Sequence, residues 1–423
     1  MKLNIRKAII RKYTPSLNTE KYIHKEKQYN CWNYDPLKVV ISKAKGAYVW
    51  DVDNKKYLDC ISAYSALNQG HLHPKIKEAM ILQMEKMTLT SRAVYNDKLA
   101  ETSEYLTSVF GYEKSIMANG GVETGETAIK FARRWAYMKK GVPENQAVIL
   151  FAKNNFWGRT IAACGSSDDP SRYDKFGPFN GLNFQLIDYN NLEMLESEFK
   201  SNPNIAAYML EPIQGEGGVI IPDKGYLQKV RELCTKYNVL MIVDEVQTGL
   251  GRTGRLLCQE HENIKADMIC LGKALSGGYM PISAVLGNNE VFDCITPGIH
   301  GSTYGGNPLA CVVAKSSVEV LIEEGMIENS AKMGERMLSN LSDNLRDNKI
   351  VKEVRGKGLF IAIELNKDLD ITCYQLVYEL LDRGLLCKQT KEDVLRLAPP
   401  LIINQEETDF ITETLSQVIN KHK

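Results

Sequence analysis

The chain has 423 residues, too many for one ordinary hydrophobic core, so we expect two domains plus terminal segments. Its 52 basic and 52 acidic side chains balance, which gives no support for a protein that binds nucleic acid or another polyanion. The ten cysteines include no CxxC pair and no Cys/His cluster, which argues against a zinc site or a disulfide scaffold and favours a reducing compartment. The longest uncharged segments are rich in Gly, Pro and polar residues, so no membrane span is predicted.

The amino-terminal residues 1–19 carry five basic side chains before the first acidic residue, Glu20. Ile5, Ile9 and Tyr13 follow one another at helical spacing. This pattern is typical of a mitochondrial transit segment, and equally of a solvated basic tail. We therefore expect an intracellular protein, in the mitochondrial matrix or in the cytoplasm.

The predicted elements divide the chain into three parts. Residues 1–60 form an arm and a hairpin at 47–59, residues 61–320 a large domain, and residues 321–423 a small α+β domain. In the large domain, helices at 74–88, 123–140, 191–200, 225–237 and 308–324 accompany strands at 147–152, 205–210, 239–243, 267–271 and 283–287. Short apolar runs that alternate with amphipathic helices predict a parallel sheet covered on both faces. The small domain contains helices at 328–346, 373–383 and 405–421 and a strand at 358–365.

Two apolar runs end in ionisable residues. Asp244 follows the run 239–243, and Lys273 comes shortly after the run 267–271. Both runs are predicted to be parallel strands, and ligands of open α/β sheets bind at the carboxyl edge of such strands. A desolvated lysine there becomes a nucleophilic amine that can form a Schiff base, and a nearby carboxylate can hold a pyridine nitrogen protonated. The pair therefore predicts an enzyme that uses pyridoxal 5'-phosphate (PLP).

Two small-residue loops could bind the phosphate of such a coenzyme. The loop 119–126 is rich in glycine and precedes a helical stretch, whose amino terminus offers free N–H groups and the positive end of the helix dipole. The loop 300–307 also precedes a helix and offers hydroxyl and N–H donors. Each signal alone is weak, because glycine-rich loops are usually only tight turns.

Several further side chains are candidates for ligand contacts. Phe156 could stack on a flat ring and Arg159 could grip a carboxylate, although a packed aromatic and a surface arginine would look the same. Arg396 lies among apolar residues, so we expect it to be partly buried and to need an acidic partner. Either Glu211 or Glu216 could be that partner.

Four segments together resemble one family, the class III PLP-dependent aminotransferases of fold type I. The segments read GGVETGETA (120–128), DEVQTGLGRTG (244–254), LGKALSGG (271–278) and HGSTYGGNP (300–308). The resemblance runs from about residue 20 to the carboxyl end. It implies an α/β fold with a large domain, built on a mainly parallel seven-stranded sheet covered by helices, and a smaller α+β carboxyl-terminal domain. The segments 33–36, 62–71, 89–92 and 155–159 are similar to the ornithine δ-aminotransferase branch in particular.

That resemblance implies a reaction and its participants. L-Ornithine would give its δ-amino group to 2-oxoglutarate, yielding glutamate 5-semialdehyde and glutamate, in proline biosynthesis or arginine catabolism. Lys273 would bond the coenzyme covalently and then carry the proton, while Asp244 would hold the pyridine nitrogen. The other implied coenzyme contacts are Gly120, Gly121, Val122, Phe156, Gln247, Ser302 and Thr303. Ser302 and Thr303 would come from the partner subunit, which implies a homodimer with shared active sites, or a higher oligomer.

The resemblance also implies how two different substrates share one pocket. Tyr34 and Arg159 would hold the α-carboxylate of ornithine, and Tyr64 its α-amino group, so that the δ-amino group meets the coenzyme. Glu216 would neutralise Arg396 while ornithine is bound and release it to a carboxylate of 2-oxoglutarate. Glu211 is also assigned to the substrate site.

One position departs from the family pattern, which usually has Ser or Thr where this chain has Gly120. The loss of one hydrogen bond to a charged group costs on the order of 1.5–3 kcal/mol, so we expect weaker coenzyme retention.

Three alternatives remain open on sequence grounds. An acetylornithine or 4-aminobutyrate aminotransferase would share Lys273, Asp244 and Arg396, and only the Tyr34 and Tyr64 hydroxyls favour ornithine. A PLP-dependent mutase or racemase would not need an exchangeable Glu216–Arg396 pair. A non-catalytic binding protein would have no reason to retain Lys273, Asp244 and Arg159 together.

Overall fold

The computed structural model describes residues 14–367, 369 and 371–422. Most of the predicted transit segment or basic tail over residues 1–19 lies outside these described residues. The described part begins with the helix Leu17–Tyr29, which Ser16 caps by accepting a hydrogen bond from the amide of Thr19. No helix within the described ranges is long and apolar enough to cross a bilayer.

A seven-stranded sheet forms the centre of the molecule. Its strands, in spatial order, are Lys114–Ala118, Ser283–Gly287, Met268–Leu271, Leu240–Asp244, Ile205–Leu210, Val148–Ala152 and Phe184–Ile187. Every neighbouring pair is parallel except for those made by Ser283–Gly287, which runs antiparallel to both of its neighbours. The sheet is therefore mainly parallel, as predicted. The inner strands are buried along nearly their whole length because helices cover both faces, which explains their nearly continuous apolar sequences.

Within the part of the chain that the structure describes, six longer helices surround this sheet, and five of them were predicted in the observed order. They are Pro74–Met84, Asp97–Phe110, Gly121–Trp135, Leu192–Ser201, Tyr226–Lys236 and Pro308–Glu323. The helix predicted at 123–140 becomes a π-helix over Ala136–Lys140, and the one predicted at 74–88 ends at Met84. The helix Asp97–Phe110 and the edge strands Lys114–Ala118 and Phe184–Ile187 were not predicted. The two edge strands are only partly buried, so their sequences lack a continuous apolar run.

Two smaller sheets complete the fold. The predicted hairpin forms from Tyr48–Asp51 and Lys56–Asp59, with Asn54 at a φ of 64° in its turn. The strand Ile41–Lys45 extends this sheet on one side and Leu385–Leu386 on the other. Near the carboxyl end, the antiparallel strands Val351–Lys357, Phe360–Leu365, Val394–Leu397 and Lys388–Gln389 pack with the helices Met326–Leu345, Cys373–Asp382 and Gln405–Asn420.

The large and small parts share one hydrophobic core, which includes Leu271 of the central sheet and Leu395 of the carboxyl-terminal sheet. The division of the chain near residues 60 and 320 therefore stays a prediction. The carboxyl-terminal segment is also tied to the loop after Asp244, because Arg252 of that loop donates to the carbonyls of Leu359 and Pro399.

Candidate active site

Asp244 and Lys273 lie at the same edge of the central sheet. Their strands are parallel neighbours, with Asp244 opposite Cys270, and Lys273 follows the second strand after one further residue, Gly272. The predicted position of this pair at the carboxyl ends of two parallel strands is thus confirmed. Lys273 has a φ of 43°, a left-handed conformation that is uncommon for a residue with a side chain and that clusters at functional sites.

The surroundings of this pair change the protonation of both groups. Burial, aided by the charge of Arg396, lowers the pKa of Lys273 to about 8, although the carboxylates of Glu216 and Asp244 oppose this shift. Burial raises the pKa of Asp244 to about 6, against the hydrogen bond from the amide of Val246 at 2.9 Å and the attraction of Lys273. Near neutral pH the lysine therefore has an accessible neutral form, while the aspartate is still largely ionised.

The glycine-rich loop meets the helix Gly121–Trp135 beside Lys273. The Glu123 carboxylate accepts hydrogen bonds from the amides of Asn119 at 2.9 Å and Gly120 at 2.5 Å. The amides of Gly121 and Val122 lie in the first helical turn, where the helix supplies no acceptor of its own. They are therefore suited to an anion such as a phosphate group.

Close packing explains why the loop needs glycine at position 121. A Cβ built on Gly121 would lie 2.9 Å from the Cγ1 of Val246, and one built on Gly272 would lie 3.5 Å from the Cα of Gly121. A Cβ on Gly120 would meet only the carboxylate of Glu123, at 3.6 Å. The amino-terminal end of the helix thus packs against Gly272, the residue that precedes Lys273, so these parts of the site fit a single phosphorylated coenzyme.

The second small-residue loop reaches the first one within the same chain. Ser302 Oγ accepts hydrogen bonds from the side-chain amide of Asn119 at 3.3 Å and from the backbone amide of Gly305 at 2.9 Å. Thr303, the next residue, is exposed. The implied delivery of Ser302 and Thr303 to a partner subunit's coenzyme stays a prediction.

Glu211 supports the loop that carries Phe156. Its carboxylate accepts hydrogen bonds from the amide of Phe156 at 3.1 Å and from that of Gly215 at 3.3 Å. Burial, and then repulsion from Asp244, raise the pKa of Glu211 to about 8. Two cations flank the Phe156 ring. The guanidinium of Arg159 lies 5.8 Å from the ring centre, and that of Arg172 lies 4.8 Å from it.

Arg396 has Glu216 as its partner, and not Glu211. Its Nη1 lies 2.7 Å from Glu216 Oε1, and only 7% of the arginine side chain is exposed. Burial alone would raise the pKa of Glu216. The positive charges of Arg396 and Lys273, together with hydrogen bonds from Arg396 and Gln247, outweigh burial, so the pKa of Glu216 lies below its ordinary value. The Arg396 guanidinium lies 5.5 Å from the ring of Tyr64. Gln247 Nε2 donates to the backbone carbonyl of Tyr64 at 3.3 Å.

Not every predicted residue lies in this cluster. Tyr34 is 55% exposed, on the segment between the first helix and the first strand, and Arg159 is exposed beside Phe156. Their roles in holding a substrate carboxylate stay predictions.

Three residues that sequence reasoning did not select contribute to the site. Lys388 Nζ donates to the Tyr64 hydroxyl at 2.9 Å. The fully buried Arg252 donates to the carbonyls of Leu359 and Pro399 and to the side chain of Asn68, which fastens the carboxyl-terminal segment to the loop after Asp244. Arg172 donates to the Asn155 carbonyl at 2.7 Å and is the second cation beside the Phe156 ring. Lys388 and Arg172 lie in no motif, and Arg252 lies in the segment 244–254 but was given no role there, because each contact joins segments that only the fold brings together.

Comparison with known proteins agrees with this geometry. The family model "Aminotransferase class-III" matches residues 29–419. The mitochondrial ornithine aminotransferase of Drosophila melanogaster is 53% identical over 395 residues, which cover 92% of this chain and 90% of that protein. The crystal structure of the ornithine aminotransferase from Toxoplasma gondii ME49 has a TM-score of 0.93 at 44% identity and covers 95% of both chains. The crystal structure of an acetylornithine aminotransferase from Elizabethkingia anophelis has a TM-score of 0.86 at 43% identity and covers 95% of this chain and 99% of that one.

The match of the family model spans nearly all of the chain, and the site pairs a lysine and an aspartate at the sheet edge with a glycine-rich helix start. The chain therefore belongs to the class III aminotransferases.

Proposed function

We propose that the chain transfers the δ-amino group of L-ornithine to 2-oxoglutarate with PLP as coenzyme, giving glutamate 5-semialdehyde and glutamate. The observation that carries this proposal is the Arg396–Glu216 ion pair beside Tyr64 and within electrostatic reach of Lys273. A cation that is neutralised by a movable carboxylate lets one pocket receive a dibasic amino acid and then a diacid. The names of the D. melanogaster and T. gondii relatives support ornithine as the amino donor.

The residues at the sheet edge suit each part of PLP. The amides of Gly121 and Val122, preceded by Gly120, would bind the phosphate, and Ser302 and Thr303 of the partner subunit would add hydroxyl donors. Phe156 would stack on the ring, Gln247 would bond its phenolic oxygen, and the Asp244 carboxylate would keep its nitrogen protonated. When bound, PLP supplies an electron sink for the carbon that loses its proton.

Lys273 holds the coenzyme and moves the proton. Its amine has a pKa of about 8, so roughly a tenth of the molecules carry it in the neutral form at pH 7. In this form it would hold the coenzyme through its aldehyde, and once free it can accept a proton from the substrate carbon. The same amine returns this proton to a different atom, since its pKa lies near the working pH. Lys273 begins a tight turn with a φ of 43°, which sets the direction in which its side chain leaves the backbone.

The substrate end of the pocket selects which amino group reacts. Tyr34 and Arg159 hold the α-carboxylate of ornithine, and the Tyr64 hydroxyl meets its α-amino group, so that the δ-amino group reaches Lys273. Glu211 keeps the Phe156 loop in place through two backbone amides. When 2-oxoglutarate enters, Glu216 turns away and Arg396 binds a carboxylate.

The functional unit that we propose is a homodimer. The loop with Ser302 and Thr303 is partly exposed, and it lines a cavity of about 790 Å³ together with Glu123 and His300. A second copy of the chain would cover this loop and complete both sites. Measurement of the molar mass in solution tests this, and a stable, active monomer would contradict it.

The decisive assay compares amino donors. We expect kcat/KM for L-ornithine to exceed that for N-acetylornithine and for 4-aminobutyrate, with the cyclised semialdehyde trapped as product, because a site that bonds a free α-amino group rejects analogues without it. Tyr64→Phe should reduce the discrimination between ornithine and N-acetylornithine. If the wild type prefers the acetylated substrate, the chain is an acetylornithine aminotransferase instead.

A further inference from the structure

Lys388 touches the substrate end of the pocket, although no motif contains it. Its Nζ lies 2.9 Å from the Tyr64 hydroxyl and 5.4 Å from the centre of the Tyr64 ring. Lys388 is also the direct partner of Arg396 in the antiparallel pairing of strands Lys388–Gln389 and Val394–Leu397. Directly opposite residues of such a pair project to the same face, so both cations reach the same tyrosine.

The direction of the hydrogen bond between Lys388 and Tyr64 is fixed by chemistry. An ammonium group has three donors and no acceptor, so the phenolic oxygen must accept. The proton of the Tyr64 hydroxyl is then free to be donated to another group. A substrate carboxylate needs such a donor, whereas a protonated substrate amine needs an acceptor.

The charges around the Tyr64 ring favour the same ligand. Lys388 and Arg396 contribute two positive charges, and Glu216 contributes one negative charge. Once Glu216 leaves Arg396, both cations face the ligand without compensation. Like charges repel a cationic substrate at this point, and an anionic one is attracted to it.

The backbone holds Tyr64 in place for this contact. Ser62, Ala63, Tyr64 and Ser65 all have positive φ values, between 46° and 72°, which makes one left-handed turn of four residues that bear side chains. Such a turn costs about 1–2 kcal/mol per residue, so it persists only where other contacts determine it.

The Asp59 carboxylate supplies part of that restraint. Its Oδ1 accepts from the amides of Ile61 at 2.8 Å and Ser62 at 3.0 Å, and its Oδ2 lies 2.8 Å from His71 Nε2. With Gln247 bonded to the Tyr64 carbonyl, the turn is anchored on both sides of the tyrosine.

We propose that Lys388 is a specificity-determining residue, which makes the Tyr64 hydroxyl a donor and, with Arg396, selects the dicarboxylate substrate. This inference rests on the proposed placement of substrates between Tyr64 and Arg396. Lys388 favours 2-oxoglutarate in the second half of the reaction. In the first half, the α-amino group of ornithine can still donate to the remaining acceptor position of the Tyr64 oxygen, but the charge of Lys388 weakens this contact. Lys388 thereby raises the affinity for the second substrate relative to the first.

The test measures binding of glutarate, a diacid that has no keto group and cannot react, to the coenzyme-loaded enzyme by calorimetry. Lys388→Met should raise the glutarate dissociation constant and the KM for 2-oxoglutarate about tenfold, as expected for one lost charge near the surface. The KM for ornithine should stay the same or fall. Lys388→Arg keeps the charge and should remain within about threefold of wild type on the same reasoning.

Two further measurements keep the outcome unambiguous. In a Tyr64→Phe background, Lys388→Met should lose part of its effect on glutarate, since the two side chains act together. If Lys388→Met does not fold, Lys388→Gln takes its place, with the same expected direction. Equal changes for ornithine and glutarate, or no change for either, would overturn the proposal. A wild-type enzyme that does not transfer an amino group from ornithine to 2-oxoglutarate would instead overturn the proposed function.

Discussion

Arg396 and Glu216 form an ion pair of unequal exposure at the substrate end of the site. The distance between Arg396 Nη1 and Glu216 Oε1 is 2.7 Å, with 7% of the arginine and 24% of the glutamate side chain exposed. Arg396 is fixed in the strand Val394–Leu397, whereas Glu216 lies on the loop after the strand Ile205–Leu210. The glutamate is therefore the partner that can move, whereas the arginine stays in its position in the strand.

Removal of the charge at Glu216 should separate the two substrates. In Glu216→Gln, Arg396 keeps an uncompensated charge, so we expect kcat/KM for ornithine to fall about tenfold and the KM for 2-oxoglutarate to fall as well. Steady-state kinetics with each substrate varied in turn measure both effects. Glu353→Gln is a matched control, because Glu353 pairs with Arg355 on the exposed side of the carboxyl-terminal sheet. Loss of affinity for both substrates alike would refute the role of Glu216 as a switch.

Gly120→Ser should strengthen coenzyme retention. The backbone of Gly120, with φ −101° and ψ 152°, accepts a side chain, and a Cβ there meets only Glu123 Oε2 at 3.6 Å. A hydroxyl that gains one hydrogen bond to the phosphate should slow PLP dissociation about tenfold. Gly121→Ser is the opposing control, because its Cβ would collide with Val246. An unchanged off-rate in Gly120→Ser would contradict this prediction.

The capture of PLP by the coenzyme-free protein should depend on the lowered pKa of Lys273. Only the neutral amine attacks an aldehyde, so the capture rate should rise with pH and level off just above pH 8, the pKa that burial imposes. An ordinary lysine amine would go on accelerating until about pH 10.4. The measurement follows the absorbance of the adduct after mixing, with N-acetyl-lysine methyl ester as the reference amine. A rate for the protein that keeps rising to pH 10 would contradict the lowered pKa.

The buried carboxyl of Glu211 should make the coenzyme-free protein less stable at high pH. Its folded-state pKa of about 8 exceeds the ordinary 4.5, so between these values the folded state holds a proton that the unfolded state has lost. Stability therefore falls as the pH rises through this window. Thermal unfolding between pH 6 and pH 9 should show a smaller decrease in Tm for Glu211→Gln than for the wild type, by about 2–4 °C.

In Glu211→Gln, Tm should still decrease somewhat as the pH rises, because burial also raises the pKa of Glu245, to about 7. Equal slopes in the wild type and in Glu211→Gln would show that Glu211 is ionised throughout the range.

The sequence was most informative where a residue conflicted with its surroundings. Asp244 and Lys273 could be placed at one edge of the sheet because parallel strands end there together, and the structure agrees. Arg396 in an apolar strand demanded an acidic partner, and it has one. The choice between Glu211 and Glu216 could not be made, because it depends on the path of the loop that turns Glu211 towards the amides of Phe156 and Gly215.

Contacts between distant segments escaped prediction. Lys388 meets Tyr64 across 324 positions of sequence, from a strand of two residues that has no periodicity to detect. The left-handed turn at 62–65 could not be predicted, because it contains no glycine, the residue that usually indicates a positive φ. The edge strand Lys114–Ala118 was missed because half-buried strands mix polar and apolar residues.

The most direct test of the account is to locate the covalent bond to the coenzyme. Protein incubated with PLP, reduced with borohydride and digested should yield a single modified peptide, with the label on Lys273. Prior addition of L-ornithine should remove the reducible adduct and release the semialdehyde. A label on another lysine such as Lys388, or the absence of any label, would contradict the assignment of Lys273 as the amine at the centre of the site.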